Sequence, residues 1–109
     1  MTLGVLDDVC CEALALFGKE NQLRQAQEEC GELVAAINQY LRQDRREDHR
    51  RLAVVEEIAD VWIILTQLKM ALPLEDFNNA LDRKLKRLQV HIENEKTLRN
   101  QLSPLPTAL

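Results

Sequence analysis

The sequence predicts an all-α protein, and three observations carry that prediction. Three glycines and three prolines in 109 residues are too few for the turns of a strand-rich chain. Apolar residues recur at helical spacing through most of the length. They fall into four stretches, parted by Gly18, by a charged run and by Pro73. This length suits one domain, taken as residues 1–100 with an irregular tail over 101–109, on a core either self-contained or completed by a partner.

The first helix is expected from about Leu3 to Phe17, stopped by Gly18. The second begins near Asn21, an N-cap residue type, and ends near Arg42; Leu23, Ala26, Cys30, Leu33, Val34, Ile37 and Leu41 form its apolar stripe. RQDRREDHRR, residues 42–51, carries both signs of charge and no apolar face, so it reads as a solvated turn with frayed helical ends. The third helix, about Leu52 to Ala71, contains VVEEIADVWIILTQLKM, apolar nearly all round its axis, as befits the middle of a bundle or a subunit interface. Pro73 separates it from the fourth, about Leu74 to Asn100, with Phe77, Leu81, Leu85, Leu88 and Ile92 as its core stripe.

A formal net charge of −4 and a pI near 5.2 give no general attraction to a nucleic-acid polymer or an anionic membrane. The N-terminus lacks a basic region, and Asp7, Asp8 and Glu12 interrupt its apolar residues, so it is not a secretory signal. No apolar run is long enough to span a bilayer. Cys10, Cys11 and Cys30 are odd in number with two adjacent, which suits neither a disulfide framework nor zinc, and reduced cysteines in a cytoplasmic protein are expected. With no Gly-rich phosphate loop and no GxSxG elbow, any chemistry must come from side chains projecting off helices.

The carboxylates are the candidates. Glu57 and Asp60 lie three apart on the third helix, about 60° around its axis, among core-like Ile58, Val61 and Ile64. Anions on a mostly buried helix are costly unless an arginine, a lysine or a metal ion compensates them. Glu29 and Glu32 repeat the spacing on the second helix, with Glu28 beside them and Gln22 and Gln25 extending the polar strip. The plainer alternative, a solvated EExxE, is stronger here.

Glu32 lies about ten residues before the turn, Glu57 and Asp60 about nine and twelve after it. At a rise of about 1.5 Å per residue an antiparallel hairpin brings both pairs to one height, about 15 Å from the turn. Four converging carboxylates raise one another's pKa, and a hard divalent cation such as Mg²⁺ removes the conflict. A di-iron centre wants Glu-x-x-His pairs, which neither His49 nor His91 provides. On the fourth helix Lys84, Arg87 and His91 share one shoulder of the apolar face: a solvated basic strip taken alone, a holder for triphosphate beside a metal site.

EECGE at 28–32, then 24 residues, then EIAD at 57–60, followed by KxxR at Lys84 and Arg87, resembles the signature of the MazG-like all-α nucleoside triphosphate pyrophosphohydrolases. FGKENQLRQAQEECGEL, EEIADVWIIL and FNNALDRKLKRL extend the likeness over residues 14–92. The resemblance implies a four-helix MazG-like bundle completed by dimerisation, as a homodimer or a dimer of dimers. It implies Mg²⁺, with Mn²⁺ as a substitute, on Glu29, Glu32, Glu57 and Asp60, and Glu28 orienting or deprotonating the attacking water. It implies cleavage of a ribo- or deoxyribonucleoside triphosphate to the monophosphate and pyrophosphate. Lys84 and Arg87 would meet the outer phosphates; Gln22, Gln25, Asn38 and Trp62 are candidates for base and sugar contacts, with a core or interface role the simpler one for Trp62. A catalytically silent binding module and a purely structural bundle are the competing readings. No motif specifies a base.

Overall fold

The computed structural model describes residues 3–42 and 48–102. They form four α-helices and no strand: α1 (Leu3–Phe17), α2 (Lys19–Arg42), α3 (Asp48–Ala71) and α4 (Leu74–Leu102). The middle of the charged run, residues 43–47, and the end of the expected tail, residues 103–109, lie outside the described residues.

Gly18 performs both jobs at the first break. Its φ of 87° is a left-handed conformation suited to glycine, and its N–H donates to the Leu14 carbonyl at 2.9 Å, closing α1. Its own carbonyl accepts from the Gln22 N–H at 3.1 Å, opening α2. Asn21 is therefore not the N-cap expected of it: it lies inside the first turn of α2, and its side-chain amide donates back to the Phe17 carbonyl at 2.8 Å. At the other boundary α3 begins at Asp48, about four residues earlier than apolar periodicity indicates. Asp48 places an anion at the positive end of the helix and meets Arg51 at 3.7 Å, so charged residues without an apolar face still continue the helix.

The chain divides into two compact units, residues 1–73 and 74–109. In the first, α2 packs most extensively on α3, and α1 lies against both. Among the described residues few are buried: Cys10, Gln22, Ala26, Val61, Ile64 and Gln67. Cys10 is wholly buried and its thiol donates to the Ile63 carbonyl at 3.4 Å, tying α1 to α3. Burial, and secondarily the charge of Asp7, pushes that thiol's pKa up, which keeps it an unreactive packing group. Cys11 and Cys30 are exposed, and all three cysteines are free.

The seam between α2 and α3 has alternating four- and three-residue steps, the spacing of two helices meshing along a narrow line. On α2 the half-buried and buried positions are Gln22, Ala26, Glu29, Leu33, Ala36 and Tyr40; on α3 they include Arg50, Val54, Glu57, Val61, Ile64 and Leu68. A second stripe on α3, Val55, Ile58, Trp62 and Leu65, stays exposed, Trp62 at 63%. The second unit is described by the single helix α4, in which no residue is buried; Phe77 is half-buried, while Leu81, Leu85, Leu88 and Ile92 of the expected core stripe are exposed. No helix among the described residues is long and apolar enough to cross a membrane.

Candidate metal centre

Two polar pairs fix how α2 and α3 run past each other. Near one end of the seam the Gln22 amide donates to Gln67 Oε1 at 2.6 Å, with both residues buried. Near the other, Arg50 Nη1 donates to Gln39 Oε1 at 2.7 Å. The helices are therefore antiparallel, and the two pairs share one register. Glu29 lies seven residues after Gln22 and Asp60 seven before Gln67; Glu32 lies seven before Gln39 and Glu57 seven after Arg50. Seven residues is about two turns, so the same face returns and the two carboxylate pairs stand level.

Each of Glu29, Glu32, Glu57 and Asp60 offers a carboxylate oxygen within 4.8 Å of the others. Glu29 and Glu57 occupy the seam and are half-buried, while Glu32 and Asp60 flank it and are exposed. Glu29 Oε2 and Glu57 Oε2 are buried with no hydrogen-bond partner among the described residues. The Glu32 carboxyl is held above its ordinary range, first by the charge of Glu29, then by that of Glu57, with partial desolvation and proton sharing with the same two residues adding to it. Within the first unit the exposed ion pairs Arg24–Glu20 and Arg51–Asp48 involve none of the four carboxylates.

The donor set fits a hard divalent cation: every ligand is an oxygen, the charge is of the right sign, and two buried oxygens have their coordination capacity free. Glu32 and Asp60, at the exposed positions, bring the cluster to the surface of the α2–α3 hairpin.

The other sequence-derived candidates are placed differently. Glu28 is exposed on α2, one residue from Glu29 and outside the cluster. Gln22 is buried against Gln67, and Gln25 donates to Glu29 Oε1 at 2.7 Å, so both amides are engaged within the protein. Asn38 and Trp62 are exposed on α2 and α3. Lys84 and Arg87 are exposed on α4, in the second unit. Sequence reasoning missed Gln67 and the bond from Arg50 to Gln39. The seven-residue steps from Asp60 and Glu57 are the signal that finds them.

Comparison with protein families, curated proteins and solved structures finds no match.

Proposed function

We propose that the chain is a Mg²⁺-dependent nucleoside triphosphate pyrophosphohydrolase of the MazG-like kind, with Mn²⁺ as a substitute, serving nucleotide-pool housekeeping in the cytoplasm. The observation that carries the proposal is the pair of seam carboxylates, Glu29 and Glu57, each with a buried oxygen that has no partner, level with Glu32 and Asp60. A structural bundle gains nothing from that arrangement, since buried unpaired oxygens and massed like charges both disfavour folding. A site completed by a cation and a polyphosphate removes both penalties.

Glu29, Glu32, Glu57 and Asp60 are the residues that would hold the metal. A divalent cation bound there supplies polarisation of phosphoryl oxygens, acidification of water and neutralisation of developing negative charge. The reaction is attack of water on the α-phosphorus with cleavage of its bond to the bridging oxygen, which leaves with pyrophosphate. Glu28, exposed beside Glu29, is the carboxylate assigned to orient that water or take its proton. Lys84 and Arg87 are assigned to the outer phosphates from their charge and spacing. With the Gln22 and Gln25 amides bonded to Gln67 and Glu29, Asn38 is the remaining amide assigned to base or sugar.

A homodimer or dimer of dimers is part of the proposal. The exposed stripe Val55, Ile58, Trp62 and Leu65 is a continuous apolar face at seam spacing, and a second copy would cover it.

The test is pyrophosphate release from a panel of ribo- and deoxyribonucleoside triphosphates, with Mg²⁺ and with a chelator. Release that the chelator abolishes, and that Glu57→Ala removes with the fold retained, supports the proposal. Absence of release from every triphosphate refutes it in favour of a silent binding module, and Mg²⁺-dependent turnover unchanged in Glu57→Ala refutes the assignment of the site.

A further inference from the structure

Glu29 differs from the other three carboxylates of the cluster in having a carboxamide one turn away. Residues four before Glu32, Glu57 and Asp60 are Glu28, Ala53 and Glu56; those four after are Ala36, Val61 and Ile64. Four before Glu29 is Gln25, and its Nε2–H donates to Glu29 Oε1 at 2.7 Å. That bond takes one oxygen of the carboxylate and leaves Oε2, buried and without a partner, as the oxygen with capacity to spare. The two oxygens thus have separate tasks, one tied back to α2 and one reserved.

Holding a glutamate this way matters because its side chain has three rotatable bonds, and each rotamer moves the carboxylate relative to the other three. An amide donor on Oε1 fixes the side chain's reach along its own helix and the tilt of the carboxylate plane. It also leaves the charge in place, since a neutral amide neither neutralises nor repels a carboxylate. A lysine at the same position would supply the donor and cancel the anion; a glutamate would add to the repulsion.

We propose that Gln25 is a positioning residue for the metal centre: by holding Glu29 Oε1 it presets the carboxylate for a divalent cation, and it makes no contact with the nucleotide. This rests on reading the four carboxylates as a cation site. Amide and backbone partners of metal-binding side chains typically change metal affinity by about 10–100-fold when removed. Gln25 is exposed, so the lower end of that range applies.

The experiment measures Mn²⁺ affinity directly, by calorimetry and by the loss of free-ion electron paramagnetic resonance signal, on the full chain without nucleotide. Gln25→Met keeps the length of the side chain and removes the donor, and Gln25→Ala removes both. The expected result is a Kd for Mn²⁺ raised about tenfold in both variants. Melting in chelator should stay near that of the wild type, and at saturating metal the nucleotide KM should be unchanged. An unaltered Mn²⁺ Kd in both variants overturns the proposal and leaves the cation site standing. An unaltered Kd with a raised nucleotide KM overturns it in favour of a substrate contact. If the wild-type chain itself takes up no Mn²⁺, the reading of the four carboxylates fails and the proposal fails with it.

Discussion

Glu57→Gln separates a metal centre from a structural cluster of acids by one measurement of sign. The substitution keeps the side chain's shape and removes one negative charge from four groups whose oxygens lie within 4.8 Å. At that separation two unit charges repel by about 1 kcal/mol when fully screened by water and about 3 kcal/mol at an effective dielectric of 20. Glu57 and Glu29 are only half-buried, which selects the screened end, about 1 kcal/mol. The new amide also gives the buried Glu29 Oε2 a donor within the cluster. In chelator the variant should therefore be more stable than the wild type, melting about 4–8 °C higher for each kcal/mol in a domain of this size. Free Mg²⁺ at a hundred times its Kd adds about 2.7 kcal/mol to a protein with an intact site. The order of stabilities should then reverse, with the wild type gaining and the variant not. Circular dichroism melts with chelator and with Mg²⁺ at matched ionic strength provide the assay. A variant less stable than the wild type in chelator would refute the reasoning, because Glu57 would then be held by a favourable partner. Equal Mg²⁺ shifts in both proteins would place the cation elsewhere.

Acid should act on the metal-free protein in the direction opposite to common acid denaturation. The Glu32 carboxyl is raised above its ordinary value of 4.5, so its contribution is fully present below that pH and is lost as pH rises through the raised folded value; melts in chelator across this window should show the loss, and Glu32→Gln should flatten it. Gln67→Ala strands the buried Gln22 amide and should cost about 1–3 kcal/mol, whereas Gln22→Leu combined with Gln67→Leu should come out nearly neutral by urea unfolding. Cys11 and Cys30 should react with a thiol reagent in the native protein and Cys10 only on unfolding, a count made by absorbance with and without denaturant. Lys84→Ala should raise the KM for a nucleoside triphosphate more than it lowers kcat, and a change in neither would leave that lysine on a solvated face.

The meeting of the two carboxylate pairs was legible because helix rise converts sequence distance from a turn into height, and that distance needs no knowledge of packing. Boundaries were less legible where one residue does the work of two. Asn21 carries an N-cap's chemistry, yet Gly18 closes α1 and opens α2 and leaves Asn21 to bond backwards. At the start of α3, residues 48–51 have charge and no apolar face, which hides a helix whose first turn is stabilised by its dipole and by Arg50 reaching Gln39. Periodicity identified apolar faces without saying what covers them: the α3 stripe around Trp62 and the α4 leucines are apolar by pattern and exposed in the structure. Gln22 and Gln25 were legible as a polar strip continuing the glutamates. Their partners were not, since Gln67 in TQLKM looks like any solvated residue until the register is known.

That register is what makes the cluster informative. Slipping α2 along α3 by two turns would take Glu29 and Glu32 out of level with Glu57 and Asp60 and relieve their repulsion. The same slip would part Gln22 from Gln67 and Gln39 from Arg50, stranding two amides buried nearly completely and a guanidinium whose Nε already lacks a partner. Between these two polar locks Ala26, Val61 and Ile64 supply the apolar burial, and all three belong to the seam in this register. The favourable contacts of the hairpin thus impose the unfavourable one, and any single change from glutamate to glutamine in the cluster would lessen the conflict without touching the locks. A sequence that keeps four carboxylates in the one register where they must meet is best explained by something cationic that meets them there.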